Sequence, residues 1–310
     1  MITESIIKGL KNEPIKLKDE TVESTNPYLP KLYFCGMWIA SKGMGKTYSL
    51  CELLRYYEKS SIVDKKGRKH EMRTILFCPT GNSDFNKVYE SLESLNKEDI
   101  ITDYSDDKLF DVLNQIEQEE KEVKEYYKYQ KAYHKFKHNH KLKDKDLLIL
   151  DKYDFKDPLD KGKHNHDGLQ QLQLTKPKYL QYRVNFLIFD DLVGMPGAFK
   201  RNNSRLNNLV IKTRHLHSSC LFTTQYPLAI PPVIRNNIDL WVLFRFSNKE
   251  RLLKQVYTEI SSLMPESSFE ELYEYAIKES RHDALIVDIH PKTEAILRFR
   301  KNWNITLKIN

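Results

Sequence analysis

A chain of 310 residues, 40% hydrophobic and 11% aromatic, can bury a sizeable core at roughly 150 residues per domain, and collagen-like, low-complexity and wholly disordered classes are excluded. Fifty Lys and Arg against 43 Asp and Glu leave a formal charge of +7, which permits a polyanionic partner without requiring one. No apolar run approaches the roughly 18 residues of a membrane span and the start carries no secretory pattern, so a chain inside the cell, neither secreted nor membrane-inserted, is expected.

Residues 1–30 mix charges with Pro14, Pro27 and Pro30 and read as an extension. The run KLYFCGMWIA (31–40) is apolar without alternation, as a strand buried on both faces requires. After the turn SKGMGK, Leu50, Leu53, Leu54 and Tyr57 recur at helical spacing. RTILFCP (73–79) reads as a second strand, and 106–136 as a long charged helix with Leu109, Ile116 and Val123 seven residues apart. Strands alternating with helices predict an α/β fold built on a mainly parallel sheet flanked by helices.

An insertion is expected at about 116–181. Its first part gathers Lys128, Lys131, Lys135, Lys137, Lys141, Lys143 and Lys145 with His134, His138 and His140, and its second part is a polar loop holding Pro158, Gly162 and Gly168. The lysines and neighbouring tyrosines suit either DNA phosphates or a solvated arm, and the histidines either a metal or a basic face. The core resumes with YRVNFLIFDD (182–191), a third strand. There follow a helix at 205–217, the strand SSCLFTTQ (218–225), the turn YPLAIPPVIRNN (226–237) and the strand LWVLFRF (240–246). Helices at 250–260 and 268–280 come next, the second with Ser268 and Glu271 spaced as a capping box, then a hairpin of 284–290 with 294–300. The core is bounded at 31–300, with a tail at 301–310. Cys35, Cys51, Cys78 and Cys220 form no CxxC pair and are expected as reduced, buried thiols.

Ala40-Ser41-Lys42-Gly43-Met44-Gly45-Lys46-Thr47 matches the phosphate-binding (Walker A) pattern G-x-x-x-x-G-K-[ST], with alanine at the first position. In such a loop Ser41, Lys42, Gly43, Met44 and Gly45 wrap backbone N–H groups round phosphate at a helix N-terminus. Lys46 neutralises the β- and γ-phosphates, and Thr47 offers its hydroxyl to Mg²⁺. Phe186-Leu187-Ile188-Phe189-Asp190-Asp191 is an apolar strand delivering two carboxylates to the ligand edge of the sheet, a Walker B arrangement. Asp190 is expected to hold Mg²⁺ and Asp191 to act as general base on the attacking water. Gln225, 34 residues beyond Asp191, suits a γ-phosphate sensor. Arg235, in a proline-stiffened loop after the Gln225 strand, is the first candidate to reach a neighbouring subunit's nucleotide and Arg214 the second, the alternative for either being a pair with a surface carboxylate. Asn248-Lys249-Glu250-Arg251 places arginine where the guanine-reading motif has aspartate, which disfavours GTP.

The order AxxxxGKT, hydrophobic strand with DD, TRH, strand ending in Gln and PxxIRNN resembles the poxvirus-like genome-packaging ATPases of large DNA viruses and virophages, a branch of the FtsK/HerA superfamily. The resemblance spans roughly 31–115 and 182–300. It implies a RecA-like P-loop NTPase core, Mg-ATP hydrolysis, a ring of identical subunits and double-stranded DNA as the transported substrate. Many relatives carry Glu as the base where this chain has Asp191. The expectation is a motor that packages a viral genome, partnered by DNA and by capsid or portal vertex proteins, in host cytoplasm, viral factory or virion. Two alternatives stay open: a P-loop nucleotide or nucleoside kinase, and a nucleotide-binding assembly factor without turnover.

Overall fold

A computed structural model of the chain describes residues 22–78, 87–153, 180–195, 198–199, 204–246, 249–260 and 263–309. Two short strands, β1 (Val22–Ser24) and β3 (Ile62–Asp64), lie antiparallel at one edge of an eleven-stranded sheet. Its centre is parallel: β2 (Cys35–Ile39), β4 (Lys69–Phe77), β5 (Leu95–Ile101), β6 (Arg183–Asp190), β7 (Ser218–Thr224) and β8 (Leu240–Leu243), in the order β5-β4-β6-β7-β2-β8. Antiparallel β9 (Leu285–Asp288), β10 (Phe299–Lys301) and β11 (Ile305–Thr306) complete the other side. This is the mainly parallel α/β sheet flanked by helices that the apolar runs predict.

Because side chains alternate across a strand, each central strand feeds two cores. Cys35, Met37 and Ile39 of β2 enter one and Trp38 the other; Leu187 and Phe189 of β6 enter the first, Phe186 and Ile188 the second. Helix α1 (Lys46–Lys59) covers the second face with Leu50, Leu53, Leu54 and Tyr57. The first face is covered by α2 (Asp106–Lys137), α4 (Arg205–Ile211), α6 (Lys249–Ile260) and α7 (Glu266–Ile277). Two further helices are α3 (Asp144–Lys152), which folds back on α2, and the single turn α5 (Pro232–Arg235). All four cysteines are buried and none is in a disulfide, and no described helix is long and apolar enough to cross a membrane.

Helix α2 starts at Asp106, where Ser105 accepts from the Lys108 N–H, and buries Leu109, Ile116 and Val123. Its lysine-rich end is partly neutralised by pairs to the return helix, Lys135 with Asp146 at 2.5 Å and Lys152 with Glu125. His134 and His138 stack at 4.1 Å, and the described residues contain no cluster of three or more His, Cys, Asp or Glu suited to a metal. The expected polar loop with Pro158, Gly162 and Gly168, and Ser247-Asn248, lie outside the described residues.

Several elements differ from the sequence expectation. Val22–Ser24, expected in an extension, pairs with β3, and the tail past 301 adds β11 and lays Trp303 on Trp38. The helix expected over 205–217 ends at Ile211. Residues 212–217 turn the chain into β7, with His217 at φ 46° and Ser218 N–H donating to Thr213. The Ser268–Glu271 capping box does not form, because α7 begins at Glu266 behind Pro265, which puts Ser268 inside the first turn.

Strand β5 carries the polar run Asn96-Lys97-Glu98-Asp99, which hid it from the pattern, and it is held by a buried ion network. Arg73, 3% exposed, meets Asp99, 4% exposed, at 2.6 Å, and Glu119 of α2 at 3.0 Å. Glu119 also pairs with Arg183, whose pKa burial lowers to about 10, with Arg73 adding to the shift. The network clamps α2 to β4, β5 and β6. Truncating one member strands the others' charge in a low dielectric, so Arg73→Ala is expected to cost about 3–5 kcal/mol, read as a lower urea midpoint with an unchanged slope. A loss below about 1 kcal/mol would show the network to be no more than a surface pair.

Candidate active site

The parallel centre brings the C-terminal ends of β2, β6 and β7 to one edge. In register, Asp190 lies beside Thr223 and Thr223 beside Trp38, so the carboxylates and the loop after β2 meet although 144 residues separate Lys46 from Asp190.

The loop after β2 has the conformation that a phosphate cradle needs. Gly43 and Gly45 sit at φ 76° and 98°, left-handed values that side chains resist. Ala40 is not among the positive-φ residues and is buried, which explains why alanine is tolerated where the pattern has its first glycine. Gly45 caps α1 without a side-chain hydrogen bond, and the first turn holds no acidic residue. The leading N–H groups of a helix that buries Leu50 and Tyr57 are thus left to an anion. Lys46 Nζ donates to the Ala40 carbonyl at 3.0 Å, across the loop. Burial lowers its pKa, opposed by the charges of Asp191 and Asp190.

Asp190 is 4% exposed. One oxygen accepts the Thr223 hydroxyl and the other faces the Cys78 thiol at 3.7 Å. Burial raises its pKa; the hydroxyls of Thr223 and Tyr89 and the charge of Lys46 oppose the rise, and Asp191 adds to it. The Tyr89 hydroxyl nearby is buried and lacks a well-formed hydrogen bond. Asp191 sits at φ 49°, a conformation an aspartate tolerates better than most residues but still one under strain. Its N–H donates to Thr223 Oγ1 at 3.1 Å, and its Oδ2 accepts from Gln225 Nε2 at 2.9 Å. Gln225 thereby fixes the carboxylate's orientation while the other oxygen can accept a proton from water.

Sequence candidates Ser41 to Thr47, Asp190, Asp191 and Gln225 therefore come together at this edge. The arginines do not. Arg235 on α5 donates to the Ile230 carbonyl at 2.9 Å and pairs with Glu259 at 3.6 Å, its side chain only 12% exposed. Arg214 is exposed and precedes β7, so it stands at the opposite sheet edge, roughly 20 Å of strand away and beyond its reach to the loop of its own chain. Thr223, Cys78 and Tyr89 were not anticipated. Thr223 was recoverable, since it lies two residues before Gln225 on the same strand; the other two reach Asp190 only through the fold.

The Thr47 hydroxyl and the Asp190 carboxylate are hard oxygen donors. Mg²⁺ bound to a nucleotide takes one or two such groups beside phosphate and water, and the donor set of one hydroxyl and one buried carboxylate fits that demand. When bound, the ion would supply neutralisation of phosphate charge.

No family model and no curated protein matches the chain. Among solved structures it is similar to the genome packaging NTPase B204 of Sulfolobus turreted icosahedral virus 2 in complex with ATP-gammaS, at 13% identity, covering 89% of this chain and 98% of that one, TM-score 0.42. It is similar to B204, the DNA-packaging ATPase of Sulfolobus turreted icosahedral virus, at 12% identity over 87% and 97%, TM-score 0.42. A third is the cytoplasmic domain of the Thermomonospora curvata type VII secretion ATPase EccC, at 12% identity over 86% of this chain and 25% of that one, TM-score 0.35.

The raised pKa of Asp190 has a stability consequence. The folded state holds this proton more tightly than the unfolded chain does, so ionisation opposes folding above the ordinary carboxylate range near pH 4, fully so once pH exceeds the raised value. Asp190→Asn is expected to melt a few degrees higher than the parent at pH 8, with the difference shrinking as pH falls. Thermal melts across pH check this; an Asn variant less stable at pH 8 contradicts the dominance of burial.

Proposed function

We propose that this chain is a Mg²⁺-dependent ATPase that works as a ring to drive double-stranded DNA into a viral capsid. The observation that carries the ATPase reading is the meeting, at one sheet edge, of an uncapped helix N-terminus behind a left-handed glycine loop, Lys46, the buried Asp190 and the Asp191–Gln225 pair. The N–H groups and Lys46 bind the phosphates. Asp191, held by Gln225, takes a proton from the water that attacks the terminal phosphorus, and Gln225 links that carboxylate to the phosphate it senses. The DNA and capsid assignments rest on the motif order that resembles packaging ATPases and are compatible with the formal +7 charge. For the cation reaching a neighbour's nucleotide, Arg214 is preferred to Arg235, since the latter is engaged by Ile230 and Glu259 within its own chain.

Turnover of ATP with and without duplex DNA tests the proposal. DNA is expected to stimulate hydrolysis, independently of its sequence and less so as salt rises; a kinase or a scaffold gives no stimulation. Lys46→Ala should abolish turnover and weaken ATP binding, whereas Asp191→Asn should bind ATP with Mg²⁺ and fail to hydrolyse it. Near-normal turnover in Lys46→Ala overturns the assignment of residues 40–47 as the phosphate-binding loop.

The arginine assignment is tested separately. Arg214→Ala is expected to bind ATP normally and hydrolyse it about 10³-fold more slowly, with partial recovery when mixed with Lys46→Ala chains. Arg235→Ala is expected to lose stability instead, by exposing the Ile230 carbonyl and Glu259. Slow turnover in a stable Arg235→Ala protein, with Arg214→Ala unaffected, reverses the choice.

A further inference from the structure

We propose that Arg251 recognises the terminal phosphate of the nucleotide held by its own subunit, through a cleft beside Gln225; this rests on the nucleotide reading of the glycine loop. Strand β8 lies next to β2 and runs parallel to it, so the helix that follows, α6, starts at the same sheet edge as the loop. Arg251 stands in the first turn of α6. It lines a cleft of about 610 Å³ together with Ser41, Gln225, Tyr226 and Phe246, which joins the first loop residue and the Asp191-bound amide in one space.

Arg251 is exposed, and among the described residues its guanidinium makes no hydrogen bond or ion pair. The neighbouring cations are engaged: Arg245 donates to the Ile277 carbonyl at 2.7 Å, Lys249 pairs with Glu274, and Arg235 is held as described above. An exposed arginine that makes no pair among the described residues and lines a cleft with Ser41 and Gln225 is suited to a ligand rather than to the fold.

The charge balance supplies the need. Lys46 faces Asp190 and Asp191, so the one cation of the loop's end already meets two carboxyl groups before a triphosphate arrives. A guanidinium meets phosphate with two parallel N–H donors, and the apolar walls contributed by Phe246 and Tyr226 lower the local dielectric and strengthen that contact. Because the cleft lies on the Gln225 side, the contact is made with the terminal phosphate, which ATP has and ADP lacks.

The test measures binding of ATPγS and of ADP, each with Mg²⁺, to the full chain by calorimetry. Arg251→Ala is expected to weaken ATPγS by about ten- to a hundredfold and to leave ADP within about twofold of the parent, and Arg251→Lys to recover part of the ATPγS affinity. Arg251→Gln serves as the second truncation should the alanine variant fail to fold. An unchanged ratio of ATPγS to ADP affinity in the truncated variant overturns the proposal, as does equal weakening of both ligands. If the parent binds neither nucleotide, or Lys46→Ala binds both as well as the parent, it is the nucleotide reading that fails instead.

Discussion

The parallel register of β6, β7 and β2 is the constraint on which the site depends. Parallel strands require crossovers, so their C-terminal ends collect on one edge, and side chains from three distant segments converge there. A slip of one residue would turn Asp190 from its position beside Thr223 to the other face. The register is pinned inside the first core, where Phe77, Phe189 and Phe222 stack across β4, β6 and β7 at 5.2 and 5.0 Å. One residue further along the same two strands, toward that edge, the same alignment sets the Thr223 hydroxyl on Asp190 and its carbonyl on the Asp191 N–H at 3.2 Å. Packing of aromatic rings thus positions carboxylates with which they share no contact.

The site itself is a concentration of unfavourable local choices. It includes a buried carboxylate with a raised pKa, an aspartate in left-handed backbone, two glycines at positive φ and a helix start without a cap. Each costs free energy that the surrounding sheet must offset. Support comes from both faces. Trp303, beyond the last long strand, donates to the Ser49 carbonyl at 3.1 Å and lies against Trp38, holding the first turns of α1 from behind. His282 packs at the Gly45 position, in a loop whose Ser280 and Asp283 are tied to each other. The cradle is therefore rigid, as a site that must hold charge without reorganising requires.

What was legible in the sequence follows from what is local. The glycine loop, the DD strand end and Gln225 each sit at the end of an apolar run, so their positions could be read from hydrophobic pattern and motif alone. Strand β5 was not legible, because Asp99 is buried only through its pairing with Arg73, a partner 26 residues away. The partners that hold Arg235 were equally hidden: Pro231-Pro232 correctly mark a stiff turn, but nothing local says that Glu259 on α6 closes over it. The end of α4 was misplaced for the same kind of reason, since Arg214 to His217 suit a helix and are turned instead by the need to enter β7 at Ser218.

The two sheet edges also divide the labour among the arginines on the proposed reading. In a closed ring each interface joins two different faces of the same subunit, so a cation that serves a neighbour must stand away from the nucleotide of its own chain. Arg214 meets that condition, being exposed at the N-terminal end of β7. Arg251 meets the opposite one, since it shares a cleft with Ser41 and Gln225 of the same chain. A cis contact that distinguishes ATP from ADP and a trans contact that accelerates its cleavage are then separate functions on separate edges. The strand between them, β7, carries Thr223 at one end, with Gln225 just beyond it, and follows Arg214 at the other, so one element of pinned register fixes the distance between the two functions.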